Sequence, residues 1–179
     1  MPDLIRWRQI ADPADPQRIS DLVAATGVFS AEEARVAGEL ATTTLNGREN
    51  YRFLFAESGG VLRGFTCFDR IPLSEVSFDL YWIAVAQESR GTGLALELMH
   101  RTAAFAKRKR GLWLFAETSS REAYAPARRF YLKSGFAEIA RIEDFYEPGD
   151  DKLVYRMRLC AFTRTRSSPP QCQPRARMP

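Results

Sequence analysis

The sequence predicts one α/β (α+β) domain of about seven strands and four helices over residues 1–160, followed by a disordered basic tail over 161–179. Three observations carry this. The 179 residues are 45% hydrophobic and 27% charged, the balance of a globular chain with room for a sizeable core. Period-2 apolar runs alternate with helical periodicity as far as Leu159, where both patterns stop. A glycine-rich turn, Arg90-Gly91-Thr92-Gly93-Leu94-Ala95, joins an apolar strand to an amphipathic helix.

Taken in order, residues 4–10 alternate as a first strand. Pro13 and Pro16 then open a helical stretch that ends near Gly27. Ser30-Ala31-Glu32-Glu33 is a capping box, serine at the N-cap and glutamate three residues on, and it starts a helix reaching about Leu45. Residues 51–57 and 61–68 are strands of a hairpin turned at Ser58-Gly59-Gly60. A strand over about 76–85 leads into the glycine turn and a third helix over about 94–109, which closes on Lys107-Arg108-Lys109-Arg110. We read that basic run as a solvated helix end that complements the dipole. A short strand follows at 112–116, then a fourth helix over about 121–133 with Pro126 in its first turns. Residues 136–144 and 153–159 form a last pair of strands around the acidic turn Glu147-Pro148-Gly149-Asp150-Asp151.

Charge and cysteine content narrow the function classes. Residues 160–179 hold four arginines and no acid, so the net +4 resides in the tail and the remaining 22 basic and 22 acidic side chains cancel. The folded part therefore gives no electrostatic sign of nucleic-acid binding, although the tail arginines leave contact with an RNA or acidic surface open. No apolar stretch is long enough to cross a bilayer, and no secretory signal is expected. Three cysteines in a chain of this length do not make a disulfide framework, so the expected compartment is reducing and cytoplasmic. His100, the one histidine, has no Cys or His cluster around it for a metal. Cys67 lies among apolar neighbours and reads as an inert buried thiol.

The glycine turn exposes backbone N–H groups at the positive end of a helix and sets Arg90 beside them, a combination suited to phosphate or pyrophosphate. It lacks the Gly-Lys-Ser/Thr ending of a Walker loop and the third glycine of a dinucleotide fingerprint. On the loop alone, an ordinary turn that uses glycine for backbone freedom is the alternative.

The order of elements resembles the GNAT superfamily of N-acetyltransferases over roughly residues 3–159. Arg90, Gly93 and Ala95 match that family's acetyl-CoA signature, Gln/Arg-x-x-Gly-x-Gly/Ala. The helix signature reads here Tyr124-Ala125-Pro126-Ala127-Arg128-Arg129-Phe130-Tyr131, followed by Gly135-Phe136. Tyr124 stands where many members carry asparagine, so that contact does not carry over, and Glu117-Thr118-Ser119-Ser120 offers hydroxyls in its place. The resemblance implies a mixed, mostly antiparallel sheet with a V-shaped split between the fourth and fifth strands, where coenzyme A binds. It places the backbone of Arg90, Gly91, Thr92, Gly93, Leu94 and Ala95 on the pyrophosphate, with the Thr92 hydroxyl adding a contact. It also sets the main chain of Ile83 to Val85 on the pantetheine, the Val85 N–H toward the thioester oxygen, and Arg128 near a phosphate or the pantetheine arm. Tyr131 becomes the proton donor to the departing thiolate, its phenol being protonated at neutral pH.

The attacking amine needs a base, for which Asp79, Glu117 and Glu75 are candidates. Tyr81 alternates with Asp79 on a regular strand and faces the acceptor unless a bulge resets the register. The expected activity is acetyl-CoA-dependent N-acetylation of a primary amine of a small molecule or amino acid, by direct transfer in a ternary complex, with no metal. The acceptor is expected over the first two helices and the loops around 27–50 and 144–152. The alternatives are acetylation of a protein N-terminus or lysine, and a coenzyme-A-binding regulatory module without turnover. The resemblance also admits a homodimer.

Overall fold

The computed structural model describes residues 4–49 and 51–159. Eleven principal elements follow one another: β1 (Arg6–Arg8), α1 (Asp15–Ala25), α2 (Ala31–Leu45), β2 (Arg52–Ser58), β3 (Val61–Arg70), β4 (Ser77–Val85), α3 (Leu94–Arg108), β5 (Trp113–Ser119), α4 (Ala125–Lys133), β6 (Ala137–Glu147) and β7 (Asp150–Arg158). The strands form one sheet in the order β1-β2-β3-β4-β5-β7-β6. Every neighbouring pair is antiparallel except β4–β5, which is parallel. The expected tail, with Cys160 and Cys172, lies outside the described residues.

Each face of the sheet has its own core. α3 and α4 cover one face, where Leu94, Leu98 and Met99 of α3 pack with Phe78, Leu80, Leu114 and Tyr155. Fully burying one such side chain contributes about 1.5–3 kcal/mol, so this face alone anchors α3 firmly. α1 and α2 cover β2–β4 on the other face through Ile19, Val23, Ala37 and Ala41 against Phe55, Phe65 and Cys67. Cys67 is fully buried, and burial pushes its thiol well above the usual range, which leaves it unreactive.

Local signals placed several ends where expected. Ser30 Oγ accepts the Glu33 N–H at 3.2 Å and Glu33 Oε2 accepts the Ser30 N–H at 2.7 Å, completing the capping box. Such a cap is worth about 1 kcal/mol. Gly93 takes a left-handed conformation (φ +88°) at the N-cap of α3, which explains the glycine there.

Other ends differ. β1 is only three residues long because Leu4 and Ile10 are solvent-exposed and find no partner on β2. Residues 122–124 form a 3-10 turn, so α4 begins at Ala125. β5 runs to Ser119, three residues past the expected end, because Glu117, Thr118 and Ser119 pair with Val154, Leu153 and Lys152 of β7. The last hairpin is tighter than expected: Glu147 already faces Asp150, so only Pro148 and Gly149 turn the chain. A buried cluster fixes the start of the fold. Arg8 grips Asp15 with two hydrogen bonds (2.7 and 2.8 Å) and Glu57 with a third (2.8 Å), tying β1, α1 and β2 together.

Candidate active site in the split sheet

The site begins where two strands part. β4 and β5 pair only from Ser77↔Trp113 to Leu80↔Ala116. Beyond that step, residues 81–85 of β4 and 117–119 of β5 diverge. A bulge sits at the same point: Cys67 of β3 faces Trp82 and Phe68 faces Leu80, which leaves Tyr81 over. The extra residue reverses the alternation. Phe78 and Leu80 enter the α3/α4 core before the bulge, and Ile83 and Val85 pack against that same core after it. Trp82 and Ala84 turn to the α1/α2 side. Tyr81 also faces that side, its ring edge-on to Tyr51 at 5.2 Å.

The open edge of β4 offers unspent backbone groups. The Ala86 N–H donates to the Arg63 carbonyl at 2.8 Å, which fixes the antiparallel phase. Alternation then turns the N–H and C=O of Ala84 and Trp82 to β3, and those of Ile83 and Val85 into the split. A cavity of about 420 Å³ occupies the split, and Ile83, Val85, Arg90, Ala95, Glu117 and Tyr131 all line it.

At the mouth, the first bond into α3 runs from the Glu97 N–H to the Gly93 carbonyl (3.0 Å), so the N–H groups of Leu94, Ala95 and Leu96 precede the helix ladder. Gly91, Thr92 and Gly93 are exposed beside them. This constellation fits a pyrophosphate. Three local details refine the expectation. The Arg90 N–H is spent on the Gln87 carbonyl (3.1 Å), and the Arg90 guanidinium donates to the Thr26 carbonyl (2.8 Å). The Thr92 hydroxyl donates to the Ser89 carbonyl (2.7 Å).

Tyr131 reaches the cavity from α4. Its ring packs against Phe136 (5.4 Å) and Tyr155 (5.5 Å). Among the described residues no hydrogen bond engages its hydroxyl, yet that oxygen is not among the buried unpartnered atoms, so it opens onto accessible space. Burial, with Asp79 and Tyr155 adding to it, pushes this phenol well above its usual range and keeps its proton on.

Asp79 sits on the last but one paired step of β4, just below the opening. Burial and the neighbouring Glu117 push its carboxyl up to about 6, against the opposing pull of Lys152. Glu117 is itself ion-paired with Lys152, whose ammonium also lies over the Phe145 ring (4.6 Å). Asp79 does not itself line the cavity; it lies behind the wall that Glu117 and Tyr131 form, near enough for its charge to act on the phenol.

Two candidates fall outside. Glu75 is exposed in the loop before β4 and does not line the cavity. Arg128 donates to the carbonyls of Ser119 (2.9 Å) and Arg121 (2.6 Å), bracing α4 against the end of β5 rather than facing the cavity. The hydroxyls of Ser119 and Ser120 are likewise engaged, with Asp150 Oδ1 (2.5 Å) and the Asp151 N–H (2.8 Å). Burial opposes ionisation of Asp150, but the Ser119 hydroxyl, the Arg121 guanidinium and the Ser120 N–H hold it below the usual carboxylate range. This cluster pins the β6–β7 hairpin to β5 and helps hold Tyr146 at the cavity wall.

The sequence did not point to the opposite wall. Tyr124 donates to Glu33 Oε1 at 2.6 Å, and Phe29 packs on both Trp82 (5.2 Å) and Tyr124 (5.9 Å). Glu33 had only a capping signature, and Lys152 had none. Their roles depend on contacts between residues far apart in the chain.

Comparison with known proteins agrees with this geometry. Residues 49–138 match the family described as the acetyltransferase (GNAT) domain. A solved structure from Desulfovibrio desulfuricans, assigned to the GNAT acetyltransferases, is 38% identical with a TM-score of 0.85, the match covering 88% of this chain and 100% of that one. An aminoglycoside 6'-N-acetyltransferase complexed with coenzyme A shares the fold at 13% identity and a TM-score of 0.68, over 89% of this chain and 99% of its own. The ribosomal-protein-S18-alanine N-acetyltransferase of Escherichia coli does so at 15% identity and a TM-score of 0.68, over 92% and 100%. No curated protein sequence matches the chain. The chain belongs to the GNAT family of acetyltransferases. It is an acyltransferase, of a family that uses acetyl-CoA.

Proposed function

We propose that this protein transfers the acetyl group of acetyl-CoA to a primary amine of a small molecule or amino acid, directly and within a ternary complex. The observation that carries the reading is the cavity at the β4–β5 split, where the open backbone of Ile83 and Val85 meets Glu117 and a protonated Tyr131, with Asp79 just behind the wall. Bound acetyl-CoA supplies an activated acetyl thioester. The residues that would hold it are the backbone of Gly91 to Ala95 at the pyrophosphate and of Ile83 and Val85 along the pantetheine. The Val85 N–H is then a donor for the thioester oxygen, where negative charge grows as the amine attacks.

Asp79, ionised above pH about 6 and set behind the cavity wall, takes the proton from the incoming ammonium through water. Tyr131 delivers its proton to the leaving sulfur, and the second amine proton, released as the adduct collapses to the amide, restores the phenol. Glu117, paired with Lys152, contributes through the field that raises Asp79. With Cys67 buried and inert, direct attack is the route the site favours.

Thermal unfolding with and without acetyl-CoA tests this first, run in parallel on an Arg90→Ala/Gly93→Glu variant. Ligand at a hundredfold excess over its dissociation constant stabilises the native state by about 2.7 kcal/mol. An upward shift lost in the variant, followed by amine-dependent thiol release, is the expected result. No shift at saturating ligand would overturn the reading.

A further inference from the structure

The tyrosine that departs from the family signature builds a contact across the mouth of the split. Glu33 uses one oxygen to cap α2, accepting the Ser30 N–H, and the other to accept the Tyr124 phenol at 2.6 Å. Burial opposes ionisation of Glu33, but the phenol, the Ser30 amide and Arg121 together hold it below the usual carboxylate range. Burial first, and then Glu33, push the phenol up, so it stays a donor. A charge-assisted bond of this length is among the stronger side-chain links.

The segment between α1 and α2 is therefore fastened at both ends. At its start, Gln87 and Arg90 donate to the carbonyls of Ala25 (2.7 Å) and Thr26 (2.8 Å), tying it to the loop between β4 and α3. At its end, Glu33 and Tyr124 tie it to the entry of α4. Between these ties Phe29 fills the gap, leaning on Trp82 and Tyr124. The result is a strap along the acceptor wall of the cavity, lined by the rings of Phe29, Trp82 and Tyr124.

We propose that the Tyr124–Glu33 clasp closes the acceptor end into an aromatic-walled chamber, and so selects compact primary amines with an apolar body over the amino terminus of a peptide. The inference rests on the cavity being the site of acetyl transfer. The about 420 Å³ available must hold both the reacting end of the cofactor and the acceptor. A peptide amine brings further residues behind it, and these need an open groove. With the clasp made, the strap stands in their way.

The test compares two acceptors on the full chain at saturating acetyl-CoA: 2-phenylethylamine and a lysine-free hexapeptide with a free N-terminal alanine. Wild type, Tyr124→Phe and Glu33→Gln are assayed by thiol release, with the acetylated product confirmed by mass. Phe keeps the ring, and Gln keeps the capping geometry. We expect wild type to favour the amine, and the peptide-to-amine ratio of kcat/KM to rise about tenfold in both variants, the factor one charge-assisted hydrogen bond supplies. An unchanged ratio, or a wild type that already prefers the peptide, would overturn the proposal.

Hydrogen exchange of the amides of residues 26–30 gives a readout independent of turnover. Tyr124→Phe is expected to speed it about tenfold while leaving α3 unchanged, and equal protection in the variant would overturn the clasp. If neither acceptor is turned over by acetyl-CoA-loaded protein, it is the transfer reading that fails, and the exchange result still decides the clasp.

Discussion

Replacing Asp79 by Asn removes a carboxyl that the fold keeps against its preference, so the variant should be more stable and less active. The magnitude follows from the shift. The carboxyl moves from its ordinary 3.8 to about 6 on folding, which corresponds to about 3 kcal/mol against the ionised folded state. Residual solvent contact trims this to about 2–3 kcal/mol. The sign depends on pH. Below about 3.8 the group is neutral in both states and costs nothing. Between 3.8 and about 6 the unfolded chain ionises while the native state retains its proton, so wild-type stability falls as pH rises.

Above about 6 the whole penalty stands. Asn never ionises, so Asp79→Asn should gain its full advantage at pH 8 and none near pH 3.5. For a chain of this length the gain at pH 8 appears as a thermal midpoint about 4–12 °C higher. Urea unfolding of both proteins across that pH range measures it directly. In the same variant the rise of kcat/KM with pH through about 6 should disappear. A variant no more stable than wild type at pH 8, or equally stabilised at both ends, would refute the argument that burial and Glu117 hold the proton on.

Two further substitutions address the rest of the site and its support. Tyr131→Phe keeps the ring packed against Phe136 and Tyr155 but removes the proton donor, so kcat should fall about 10²-fold or more while the unfolding midpoint barely moves. Retained activity in steady-state assays would remove Tyr131 from the proton path. Arg8→Met removes the hydrogen-bonded cation from Asp15, fully buried, and Glu57, leaving them only the half-exposed Arg18 at 3.8 and 3.9 Å, and should cost about 2–4 kcal/mol in urea unfolding. A loss below about 1 kcal/mol would show that solvent already screens the cluster.

Much of the frame was legible in the chain because it is encoded over a few residues. The Ser30–Glu33 capping box needs only four positions, and the structure forms it. Gly91 and Gly93 announce a turn with positive φ, and both adopt it. The two GNAT signatures marked the elements that flank the split. The ends that moved were those set from outside. Glu117, Thr118 and Ser119 have no apolar alternation, and β7 alone makes them strand. Arg128 carried a plausible charge, but two backbone carbonyls hold it away from the cavity.

By itself, then, the sequence determined which segments are helix and strand, where the glycine turn ahead of α3 lies and which family the chain belongs to. Each rests on short-range periodicity, capping or motif spacing. Only the tertiary structure decided that Tyr81 is a bulge, that Asp79 titrates near 6, and that Tyr124 meets Glu33, 91 residues away in the chain. Burial, field and contact are sums over neighbours that the chain brings together only on folding. No local stretch of sequence carries them.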